Sequence, residues 1–123
     1  MPSLGTTGNV KMTKTQAELA KIVLRDVLAV IDATETPNAE DDAAVDSAYA
    51  DRLEELRDLG LAYWDANAIP NVVFRPLADL VGSTIAPAFG LPRAPELEAN
   101  ALRALRRHMA KAASGEPTQA QYH

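Results

Sequence analysis

The chain carries few groups able to do chemistry, and their spacing limits what that chemistry can be. Neither of its two histidines, His108 and His123, has a glutamate three residues before it; Leu105 and Ala120 stand there instead. The Glu-x-x-His pairs from which helical bundles build di-metal carboxylate sites are therefore missing. Nine acidic residues (Glu35, Glu40, Asp41, Asp42, Asp46, Asp51, Glu54, Glu55, Asp58) crowd residues 35–59, against only Arg52 and Arg57. Such a density could in principle hold Mg²⁺ for nucleotide hydrolysis. That chemistry needs acidic pairs on two facing helices, and the next apolar helical stretch offers only Asp79. A solvated helix face is the simpler interpretation. His108 stands among Arg103, Arg106, Arg107 and Lys111, with no carboxylate near it in sequence to orient it as a general base. Ser47, Ser83 and Ser114 lie outside any nucleophile-elbow pattern, and Gly5-Thr6-Thr7-Gly8 lacks the lysine and preceding strand of a phosphate loop. With no cysteine in the chain, thiol nucleophiles, zinc thiolates and disulfides are excluded. The residues make no case for an enzyme and imply no cofactor or metal. What remains is two surfaces of opposite charge.

The elements that must carry those surfaces follow from composition and periodicity. At 123 residues the chain fits one domain, and 47% apolar content is enough to form a core. Alanine supplies 23 residues and aromatics six, a balance that favours helices over sheet. Four helices are expected. Thr15-Gln16-Ala17-Glu18 has the form of a capping box, followed by Leu19, Ile22, Val23, Val27, Val30 and Ile31 on one face to about Ile31. A second helix opens near Ala39 with Glu40, Asp41 and Asp42 at its positive end. It buries Val45, Tyr49, Leu53 and Leu56, and ends at Leu59 with Gly60 beyond it. Residues Leu61 to Ala68 read as irregular. A third helix follows Pro70, with Val73, Leu77, Leu80, Val81, Thr84, Ile85 and Ala88 inward, a short first turn and a kink before Pro76, and an end at Pro87 and Gly90. The fourth starts at Pro95, buries Leu97, Ala101, Leu105, Met109 and Ala112, and carries Arg103 to Lys111 in its last turns. The expected organisation is an all-α bundle over 15–113, an N-terminal extension over 1–14 and a patternless C-terminal tail over 114–123. No uninterrupted apolar run is long enough to cross a bilayer, and Met1 to Val10 lacks the pattern of a signal peptide. A net charge of −5 argues against gripping nucleic acid. The adjacent rings of Tyr63 and Trp64 either close one end of a core short of large side chains or anchor a protein interface.

The middle of the chain resembles a known family. The run Leu59-Gly60-Leu61-Ala62-Tyr63-Trp64, then Ala68-Ile69-Pro70, Phe74-Arg75-Pro76-Leu77-Ala78 and Ile85-Ala86-Pro87-Ala88-Phe89-Gly90 is similar to the head–tail connector (adaptor, head-completion) proteins of tailed bacteriophages and gene transfer agents. The segment Met12-Thr13-Lys14-Thr15-Gln16-Ala17-Glu18-Leu19 is similar to how several of them begin. The resemblance spans about Thr13 to Met109 and lies in the order and spacing of these segments. It implies a structural virion protein, assembled in the host cytoplasm and located in the virion neck. There it would self-associate into a ring, typically a dodecamer, between the portal protein and the next tail or neck protein. Packaged DNA would pass through that ring without sequence-specific binding, and no membrane would be involved. Carried onto this chain, the resemblance assigns portal contact to Arg103, Arg106, Arg107, Lys111, Tyr122 and His123. A small helical interaction module or regulator is the alternative, and a carboxylate–Mg²⁺ nucleotide hydrolase a weaker one.

Overall fold

A computed structural model describes residues 12–121, with side chains described through Lys111. The fold is mostly helical, a small bundle of four helices with one two-stranded sheet, as the composition predicts. Helix α1 begins at Gln16. The capping box forms as expected: the Thr15 hydroxyl accepts from the Glu18 N–H at 3.2 Å, and the Glu18 carboxylate accepts from the Thr15 N–H at 2.8 Å. Regular α-helix covers Gln16–Ile22, and the chain then widens into a π-helical turn over Val23–Val27. Leu28 donates back to Val23 at 2.9 Å, and Ala29 turns the chain at φ 54°. The helix thus stops short of Ile31, and Val30, expected on the buried face, lies 39% exposed. The wider turn seats Val23, Leu24 and Leu28 in the core and brings Val27 against Gly82.

Helix α2 spans Ala39–Asp58, with the Asn38 side chain accepting from the Asp41 N–H at 2.8 Å. It ends in a Schellman arrangement: Gly60 (φ 74°) donates to Arg57 at 3.0 Å and Leu61 to Leu56 at 2.7 Å. Val45, Tyr49, Leu53 and Leu56 are all buried, as the periodicity predicts. Strand β1, Thr13–Lys14, pairs antiparallel with β2, Ile69–Pro70. Residues 13 and 14, expected in the N-terminal extension, are thereby drawn into the fold, a pairing between distant segments that no local periodicity encodes.

Helix α3, Asn71–Ile85, is the core of the bundle, packed against α1, α2 and the last helix, with a 3-10 turn Ala86–Phe89 continuing it. It starts at Asn71 and runs through Pro76 in one element rather than as a separate first turn. Proline inside a helix costs about 3 kcal/mol. Burial of Val73, Phe74 and Leu77 around it offsets that cost, at about 1.5–3 kcal/mol for each large apolar side chain enclosed. Ala88, expected inside, is exposed, because the 3-10 turn changes the facing of its residues. Asn71–Phe89 has a mean hydropathy of 1.3 and is long and apolar enough to cross a membrane by composition, contrary to the expectation from uninterrupted runs. Here 56% of it is buried within the bundle, as befits a core helix.

Helix α4, Pro95–Gln121, does not end near Ala113 as expected but continues through Ser114, Gly115 and Pro117. The basic residues Arg103 to Lys111 consequently lie in mid-helix rather than at the negative end. Ala101 and Leu105 are buried, Met109 and Leu102 pack against the core, and Leu97 is half-buried. The predicted inward residue Ala112 and the C-terminal pair Tyr122 and His123 lie outside the side chains described.

Candidate interaction surfaces

The basic residues of α4 separate onto two faces. Arg107 and Lys111, one turn apart, line an open groove of about 630 Å³ together with Ala104, His108, Val72 and Pro76. Arg103 and Arg106 do not line it, and Arg103 hydrogen-bonds Asn100 at 2.6 Å. All four cations are exposed, and among the described residues no carboxylate lies within ion-pair distance of any of them. The sequence-predicted portal-contact residues that the structure describes therefore form a positive surface without internal compensation. Val72 was not singled out from the sequence, and Pro76 was read there for its effect on the helix rather than as part of a surface. Val72, however, falls outside the Val73/Leu77/Leu80/Val81 stripe, and that offset was the available signal for its 66% exposure.

Tyr63 and Trp64 have different fates. Trp64 is only 5% exposed; its indole N–H donates to the Tyr49 hydroxyl at 3.2 Å, which donates in turn to the Ala66 carbonyl at 2.7 Å. The Arg57 guanidinium donates to the Trp64 carbonyl at 2.6 Å. Trp64 closes the core of its own chain. Burial raises the Tyr49 phenol above its ordinary value, keeping it a neutral donor. Tyr63 is 57% exposed, set edge-on to Trp64 and stacked on His108 at 6.0 Å, with its hydroxyl 3.1 Å from His108 Nε2. Of the two rings, Tyr63 is the exposed one, and it lies against His108 of the groove.

On α2, Glu40, Asp46, Asp51, Glu54, Glu55 and Asp58 are exposed, as expected of a solvated face. Glu55 pairs with Arg52 at 2.8 Å. Desolvation first, and then repulsion from Asp42, raises the Asp46 carboxyl. Arg52 ties the three large helices together, donating to Thr84 at 3.0 Å and to Glu98 on α4. Glu98 also accepts from Arg93 at 2.8 Å, and these bonds, Arg93's first, hold its carboxyl below the ordinary range. Asp79 pairs with Arg75 at 3.2 Å, while desolvation raises its carboxyl. Among the described residues no group of three or more His, Asp or Glu side chains is gathered to hold a metal ion. The α2 acids spread along a helix and do not converge on a cage.

Comparison with models of known protein families, with curated proteins and with solved structures gave no match.

Proposed function

We propose that this chain is a head–tail adaptor: a structural protein that joins the portal vertex of a phage-like particle to its tail and extends the DNA channel. The observation that carries the proposal is the division of charge. An acidic stripe covers the outer face of α2, while uncompensated cations project from α4, whose helix runs on through Gln121. The order of segments from Thr13 to Met109 supports the same reading. Carboxylates facing a channel let DNA slide, because phosphates release no counterions to them. Arg103, Arg106, Arg107 and Lys111, with the segment leading to Tyr122 and His123, supply the portal-facing surface. Copies arranged around the channel axis form a ring by repeating one head-to-tail contact.

The test is to mix the purified chain with the portal protein of the same genome and measure mass by sedimentation or native mass spectrometry. The proposal expects a defined complex with several copies of the chain per portal ring. Deleting Ser114 to His123 should leave the bundle folded and weaken docking. No association at high concentration contradicts the proposal, and equal docking by the truncated chain refutes the role given to its C-terminal segment.

A further inference from the structure

Among the exposed apolar side chains, Val72 stands beside cations and Leu59 beside carboxylates. Val72, 66% exposed, sits with Pro76 and Ala104 in the groove whose other walls are Arg107, His108 and Lys111. Leu59, 60% exposed, caps the C-terminal end of α2 directly after Asp58, one turn beyond Glu54 and Glu55. The negative end of the α2 dipole adds to these carboxylates. Among the described residues neither Glu54 nor Asp58 has an ion-pair partner. Glu54 and Asp58 are four residues apart, as are Arg107 and Lys111, so each pair spans about 6 Å along its helix axis. Both pairs are exposed, and the two patches belong to helices that pack chiefly on α3 and meet each other through Arg52 and Glu98. The bundle therefore presents two complementary patches without joining them itself.

We propose that the groove receives the C-terminal end of α2 from a second copy of this chain. Leu59 packs on Val72 and Pro76, and the carboxylates of Glu54 and Asp58 meet Arg107 and Lys111. Because the two patches are different surfaces, the contact is head-to-tail and repeats from copy to copy, closing into a ring when the rotation between copies permits. The contact assigns residues to the ring of the proposed adaptor, and it is testable without any portal. It leaves Arg103 and Arg106, which lie outside the groove, to face other partners.

The experiment uses the full chain in sedimentation velocity over a range of concentration and salt, with two charge-reversed variants. One carries Arg107→Glu and Lys111→Glu; the other carries Glu54→Arg and Asp58→Arg. All four positions are exposed, and far-UV circular dichroism checks that each variant keeps its helices. The wild type should self-associate, less so at high salt. Each variant alone should associate at least about tenfold more weakly, since like charges then face each other. An equimolar mixture of the two should recover association, because each supplies the partner the other has lost. A wild type that stays monomeric to about 1 mM, variants that associate unchanged, or a mixture that fails to recover overturns the proposal. Portal docking measured in parallel separates the two ideas. A chain that docks while ignoring the reversals keeps the adaptor role and loses this contact; one that self-associates through it without docking does the opposite.

Discussion

Replacing Gly82 by alanine tests a close approach in the bundle, where the π-helical turn of α1 meets the second half of α3. Judged by propensity alone, a glycine-to-alanine change inside a helix stabilises by about 1 kcal/mol. Gly82 has no positive φ to protect, so that gain is available in full. The added methyl, however, would overlap Val27 Cγ1 and stand 3.1 Å from Val27 Cβ. Valine is stiff at χ1 and this one packs against the core, so relief requires α1 and α3 to move apart. Overpacking of this kind costs about 1–3 kcal/mol. The loss equals or exceeds the propensity gain, and Gly82→Ala should destabilise by up to about 2 kcal/mol, the difference between those two terms. In urea that is a fall in midpoint of up to roughly 1 M for a slope of about 2 kcal/mol/M. Adding Val27→Ala should make the second change cost less in the Gly82→Ala background than in the wild type. A Gly82→Ala protein more stable than wild type, with no coupling to position 27, would refute the close packing from which the π-turn is explained.

Two further predictions concern the polar interior. Tyr49→Phe strands the buried Trp64 N–H and removes the donor to Ala66, and should cost about 1–3 kcal/mol in denaturant titration; a cost near zero would mean the hydroxyl is dispensable. Glu98, held below its ordinary value of 4.5 by Arg93 and then Arg52, binds its proton more weakly in the folded chain than in the unfolded one. Its contribution to stability is complete above pH 4.5 and is lost as the pH falls through the lower folded value. The stability of Glu98→Gln should therefore depend less steeply on pH below 4.5 than that of the wild type, and equal slopes would contradict the pairing.

What the sequence announced was local. The Thr15–Glu18 box, the Gly60 exit and the buried face of α2 each follow from a few consecutive residues, and each is present. What it concealed depends on partners far along the chain. The π-turn that ends α1 early is matched to Gly82, more than fifty residues away, so Val30 read as inward although the chain leaves the core at Ala29. The β1–β2 pairing is likewise non-local. Pro76 read as a kink and residues 114–123 as a patternless tail, because proline and glycine oppose helix in isolation, whereas α3 runs through Pro76 and α4 through Pro117. At the candidate surfaces, the cations of α4 were legible as charge. Their division between a groove and an outer face needed the packing of α3. Composition gave no means of separating Tyr63 from Trp64; only the hydrogen-bond chain through Tyr49 shows which ring belongs to the core.

The adaptor assignment is tested most directly by imaging the neck of particles from the source genome, with the chain tagged at its N-terminus. The account predicts a ring of tag density at one vertex, directly beneath the portal, and particles that lose their tails when the gene is deleted. Complete, tailed particles assembled without the protein, or tag density away from the portal vertex, would contradict it.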